Sequence, residues 1–90
     1  MSDFHTLHIL NKPPEHPRFA ECLGMSSSDD ALLLIENGVL ALASPERLSD
    51  RKVYALSPDA RARGLTASEG LLDYTDMVSL TLKAERVISW

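Results

Sequence analysis

The chain is expected to form an α/β domain built on a mainly parallel sheet of about five short strands. Three observations predict this. Apolar segments alternate with segments carrying helix start and stop signals, the order expected when crossover helices join parallel strands. One strand candidate, Ala31-Leu32-Leu33-Leu34-Ile35, is apolar without alternation, as suits a strand covered on both faces. Ninety residues hold five strands only if every element is short, with one domain over 1–90.

Thr6 to Leu10 reads as the first strand, and Asn11-Lys12-Pro13-Pro14 stops it, because proline brings no N–H to a ladder. Pro17 fits the first position of a helix. Phe19, Ala20 and Leu23 share one face of that helix, and Gly24 is placed to end it. Ser26-Ser27-Ser28-Asp29-Asp30 is a polar turn leading into the second strand, Ala31 to Ile35. The same run could open a helix, but the turn before it and Glu36-Asn37-Gly38 after it favour a strand. Val39 to Ala43 reads as a short helix, with a strand as the alternative, and Pro45 blocks its continuation. Lys52 to Leu56 is the third strand. Ser57 then serves as N-cap, Pro58 suits the first turn, Asp59 complements the helix dipole, Arg61 and Arg63 lie toward the far end, and Gly64 closes a two-turn helix. Gly70 to Tyr74 is a fourth strand or extended entry. Asp73 or Thr75 caps the last helix, in which Tyr74, Met77, Val78, Thr81 and Leu82 keep the spacing of one buried stripe. Val87 to Trp90 is the final strand, with Trp90 docked, since its large ring leaves much apolar surface in water otherwise.

Composition narrows the function. Hydrophobic residues make up 44% and charged residues 24%, close to globular averages. A chain of this size buries roughly 60–65% of its surface, so its margin of stability is thin and a partner subunit would add to it. Thirteen acids against nine bases give a net charge of -4 and a pI of about 5.2. That argues against a dedicated nucleic-acid binder. No apolar run approaches the roughly 20 residues that span a bilayer. The first residues lack the charge and apolar stretch of a signal peptide, so a cytoplasmic location is expected, where a lone thiol stays reduced.

The candidate chemistry is sparse. A single cysteine, Cys22, excludes an internal disulfide and cysteine-rich zinc motifs. It is the one strong nucleophile candidate, because a thiolate can take up sulfane sulfur as a persulfide. The alternative is a small apolar group packed beside Phe19 and Leu23. A place near a helix C-terminus opposes acidification of the thiol, so activation would need Arg18, Lys12 or a partner chain. His16 is close in sequence and is the candidate base for Cys22. His5 and His8 are three apart on a strand and so face opposite ways, which opposes joint metal ligation. No metal site and no cofactor is expected. The four glycines fall outside any phosphate-loop spacing, and Ser26 to Ser28 lack a nucleophile-elbow context. Arg61 and Arg63 make a minor basic spot, read as a solvated helix end.

Five blocks together resemble the TusB/DsrH family of sulfur-relay proteins. They are His5-Thr6-Leu7-His8 with Asn11-Lys12-Pro13-Pro14; Ala31 to Val39; Val53 to Leu65, carrying Tyr54-Ala55-Leu56-Ser57-Pro58; Asp73-Tyr74-Thr75-Asp76-Met77-Val78-Ser79-Leu80; and Trp90. The likeness runs over essentially the whole chain, with Pro13 where the family often has Ser and Met77 where an aromatic residue is common. It implies a small flavodoxin-like, three-layer α/β fold. It also implies a cytoplasmic heterohexamer with homologous TusC/DsrF-like and TusD/DsrE-like subunits, two copies of each, passing persulfide sulfur to a downstream acceptor protein. The sulfur would serve 2-thiolation of the tRNA wobble uridine or, in the Dsr branch, oxidation of stored sulfur. The main sulfur-carrying cysteine of such complexes belongs to the TusD/DsrE-type subunit. Cys22 falls where some members of this subunit type carry a cysteine, which makes it the candidate site residue. Two readings stand beside this: a purely structural interaction subunit with an inert Cys22, and a self-contained thiol enzyme using Cys22 and His16.

Overall fold

A computed structural model describes residues 3–48, 51–67 and 69–90. The elements are β1 (Phe4–Leu10), α1 (Pro17–Met25), β2 (Ala31–Leu34), 3-10 segments at Glu36–Ala43 and Pro45–Leu48, β3 (Lys52–Leu56), α2 (Ser57–Ala62), β4 (Leu71–Leu72), α3 (Tyr74–Leu82) and β5 (Ala84–Ser89). The strands form one sheet in the order β4-β3-β2-β1-β5, and every pairing is parallel. The α/β class and the parallel sheet therefore stand as expected.

The order explains the layering. From β1 to β4 the chain steps one way across the sheet, and from β4 to β5 it returns to the other side of β1. Right-handed crossovers in opposite directions put their helices on opposite faces. The packing agrees. On one face Phe19 and Cys22 of α1, Val39 and Ala41, Leu48 and Ala60 of α2 pack with Leu10, Leu32, Leu34 and Ala55. On the other face α3 packs Leu80 and Met77 against Leu7, Ala31, Leu33 and Tyr54. All four residues of β2 are buried, as its unalternating apolar sequence requires.

Local reasons fix the connections. Ile35 donates its N–H to the Leu10 carbonyl at 3.1 Å, and Gly38 then crosses the end of β1 so closely that a Cβ would lie 2.1 Å from the Leu10 oxygen. Only glycine permits that approach. Glu36 turns the chain out of β2 at φ 48°, with its N–H held by Asp59 Oδ2 at 2.7 Å. Gly70 enters β4 at φ +82°, where a Cβ would meet the Val53 carbonyl at 2.7 Å.

Several local expectations are corrected. Ser57 is the first helical residue and Leu56 occupies the cap, with no side-chain hydrogen bond. Asp59 reaches back to Glu36, tying α2 to the 3-10 segment. Gly24 lies inside α1, which ends at Met25 with Ser26 as its C-cap, and Ala20 is exposed while Cys22 completes the buried face. Val39 to Ala43 belongs to the longer 3-10 segment from Glu36. The α3 stripe is the largest correction: Tyr74, Val78 and Leu82 are 60%, 61% and 81% exposed, whereas Leu80 is buried. In nine residues several i, i+3, i+4 lines coexist. The line facing the sheet is set by the crossing from β4 to β5, which the pattern does not contain. Of the two proposed caps, Asp73 is used: it accepts from Asp76 N–H at 2.7 Å, and Asp76 returns the bond, a capping box.

Candidate functional site

Cys22 sits at the buried face of α1 with no exposed surface. Its neighbours in the core include Leu10, Phe19, Leu34 and Val39. Burial pushes its thiol from an ordinary 9.0 up to about 12, against the opposing pull of the Arg51 cation. The cation near Cys22 is thus Arg51, in place of Arg18 or Lys12. It reaches across from the start of β3, donating from Nη2 to the Leu23 carbonyl at 3.2 Å and from Nε to Ser26 Oγ at 3.3 Å. A guanidinium there satisfies orphan carbonyls at the helix C-terminus. Arg18 is exposed at the start of α1. Lys12 donates from Nζ to Asn11 Oδ1 and to the main-chain oxygen of Trp90 at 2.8 Å.

His16 is placed otherwise than as a base for Cys22. It is the N-cap of α1, its Nδ1 accepting the Arg18 N–H at 3.1 Å. Five helical residues lie between the two, a rise of about 9 Å along the axis. Arg63 of the basic spot holds Asn37 Oδ1 at 3.1 Å and the Asp59 carbonyl at 3.1 Å. Among the described residues no cluster of His, Cys, Asp and Glu is arranged to hold a metal ion.

The parallel register builds a second constellation. β1 and β2 pair with Leu7 opposite Ala31, which brings Asp30 beside Thr6 and His8. His8 is 2% exposed and Asp30 8%. Asp30 is a hub for three donors: the Thr6 N–H to Oδ1 at 3.2 Å, the Ser27 N–H to Oδ2 at 3.0 Å, and His8 Nε2 to Oδ2 at 2.9 Å. Burial raises the Asp30 carboxyl, but the bonds from His8, Ser27 and Thr6 outweigh it, so the group lies below its ordinary 3.8. On the other side of the ring, Trp90 Nε1 donates to His8 Nδ1 at 3.0 Å. An indole N–H can only donate. His8 Nδ1 therefore accepts, its proton is on Nε2, and that proton points at Asp30. Trp90 also continues the ladder, its N–H bonded to the Ile9 carbonyl at 2.8 Å, and its ring packs on the core that contains Cys22. The docking expected of Trp90 is thus present in detail. His5 faces out from the same strand, its Nδ1 at 2.9 Å from Thr6 Oγ1 and 3.9 Å from Asp30 Oδ1.

Sequence reasoning missed the Trp90–His8–Asp30 line. The available signals were a histidine between the apolar residues of a central strand and an acid directly before a strand buried on both faces.

The fold and the site define a small α/β protein with an all-parallel five-strand sheet and one buried thiol. The family model described as DsrH like protein matches residues 12–87, and the chain belongs to that family. It is similar to Protein TusB of Escherichia coli, 39% identical over 94 aligned residues that cover 93% of this chain and 99% of that one. Protein TusB of Shigella boydii serotype 18 matches with the same identity and coverage. Among solved structures, the solution NMR structure of Protein Tm0979 from Thermotoga maritima superposes with a TM-score of 0.68 at 26% identity, covering 86% of this chain and 91% of that one.

Proposed function

We propose that the chain is a subunit of a cytoplasmic sulfur-relay complex, handling persulfide sulfur on its way to 2-thiolation of the tRNA wobble uridine. The observation that carries this reading is likeness along the whole chain to TusB proteins, which agrees with the blocks that resembled the family in the sequence. The partners in this reading are TusC/DsrF-like and TusD/DsrE-like subunits and a downstream sulfur acceptor protein. The acidic balance, net charge -4, suits a chain that meets proteins and leaves tRNA to others.

Cys22 is the residue the chain offers for carriage. Only the thiolate is a good nucleophile, so uptake by Cys22 requires the last turn of α1 to open. A second reading has its own support: complete burial and a thiol pushed up to about 12 favour Cys22 as a packing group in a structural subunit. The experiment is incubation with a persulfide donor followed by intact-mass measurement. A gain of one sulfur atom, absent from Cys22→Ala, supports carriage. No gain, together with resistance to alkylation in the folded protein, leaves the structural subunit. Alanine is the better control, because a serine hydroxyl in this apolar site would be left without a partner.

A further inference from the structure

We propose that His8 and Trp90 form a proton-operated latch, in which neutral His8 holds the indole of Trp90 in place and protonation of His8 at Nδ1 releases it. The premise is the donor count on one ring. Trp90 Nε1–H fills Nδ1 from one side at 3.0 Å, and Asp30 receives Nε2–H on the other at 2.9 Å. Nδ1 is thus the one nitrogen with a lone pair to bind a proton. A proton bound there turns Nδ1 into a donor facing the indole donor, and two N–H groups in apposition cannot share a bond. The Nε2–H bond to Asp30 is untouched and becomes charge-assisted. The ring therefore stays and the indole leaves.

The surroundings give the transition two defined ends. From the entry of β2, Asp30 is the facing charge, 2.9 Å from Nε2. From β1, His5 stands 3.9 Å from the far oxygen of Asp30. From β5, Arg86 is in register with Thr6 and exposed. From α1, neutral Cys22 lies in the core on which Trp90 packs, with the Arg51 charge behind it. Beyond the indole, Lys12 Nζ grips the Trp90 main-chain oxygen at 2.8 Å. Asp30 carries its charge across the range in which an imidazole titrates, since its carboxyl lies below 3.8. His8 is the imidazole in hydrogen-bond contact with the Trp90 indole. Closed, the Trp90 side chain packs on the core cluster that contains Leu10 and Cys22; open, that apolar surface loses the ring while the Trp90 main chain stays held by Ile9 and Lys12. The direction follows from the donor count: the latch is shut while Nδ1 accepts the indole N–H and opens when Nδ1 carries a proton of its own.

Trp90 is the sole tryptophan, so its fluorescence reads the latch directly. The experiment follows the 15N shifts of the His8 ring, the Trp90 indole N–H, the emission maximum and acrylamide quenching against pH, with far-UV circular dichroism as the check on folding. Emission wavelength and quencher access are read because imidazolium quenches a contacting indole without moving it. At neutral pH His8 Nδ1 is expected in the unprotonated range and Nε2 in the protonated one. As Nδ1 gains its proton, the emission maximum should move to the red and acrylamide quenching should rise several-fold, with the helix signal unchanged. His8→Asn keeps an acceptor near the Nδ1 position and cannot titrate, so it should lose the pH response. The wild-type spectra decide the matter alone if that variant fails to fold. The proposal is overturned if Nδ1 is protonated while the indole resonance and emission stay fixed. It is equally overturned if Nδ1 stays unprotonated until the whole chain unfolds in acid.

Discussion

Asp30 shows how much one side chain can organise. It receives three N–H groups and donates none, so Asp30→Asn would turn an amide N–H toward at least one of those donors. The expected loss is about 2–4 kcal/mol of stability, read by urea denaturation. The pH dependence has a definite sign. A carboxyl held below 3.8 in the folded chain contributes stability that is full above the unfolded value and is lost as pH falls below it. The denaturation midpoint of the native chain should fall steeply below about pH 4, and that of Asp30→Asn less so. Neither Asp30 nor His8 was legible as a pair. Asp30 stood in a Ser- and Asp-rich turn, where solvent satisfies acids as a rule, and His8 was one of three scattered imidazoles. Only the parallel register between β1 and β2, a tertiary fact, brings them to 2.9 Å. Cys22 was legible as a choice between a packed and a reactive thiol, because a buried cysteine and a carrier look alike in one sequence.

At the scale of elements, those with chemical punctuation were legible and those defined by their neighbours were not. Lys52 to Leu56 runs between a charged entry and Ser57-Pro58, and β3 has those bounds. Pro17 opens α1. By contrast α3 exposes the line Tyr74, Val78 and Leu82 and buries Leu80, since among the described residues one helix alone crosses that face and only its inner line meets the sheet. Leu80→Ala should therefore cost about 2–4 kcal/mol. The double change of Val78 and Leu82 to Lys should leave the isolated chain within about 0.5 kcal/mol of the native one, measured by the same denaturation. Equal losses in the two variants would mean that the outer line is packed in solution.

The whole molecule is asymmetric in cover. Among the described residues one face of the sheet carries α1, α2 and both 3-10 segments, and the other carries α3 alone. A chain of ninety residues has little apolar surplus to stabilise it alone, and subunit association adds stability by mass action. The relay reading makes this measurable. Co-expression with TusC- and TusD-like subunits should yield one species whose mass equals two copies of each of the three chains. Elution as a lone monomer beside the other two would count against that assembly.

The strand order has a bearing on how the chain folds. β1 pairs with β2 by a local crossover but meets β5 only across a long stretch of chain, Phe4 opposite Ala84. Contacts of such separation form late, because a long loop must close before they give anything back. Until then β1 is an open edge with Leu7, Ile9 and Leu10 beside unpaired backbone groups, the kind of edge that captures other chains. The slow step of folding and the window for misassembly are therefore the same event, the arrival of β5, and conditions that speed that closure should reduce aggregation without touching the stability of the finished sheet.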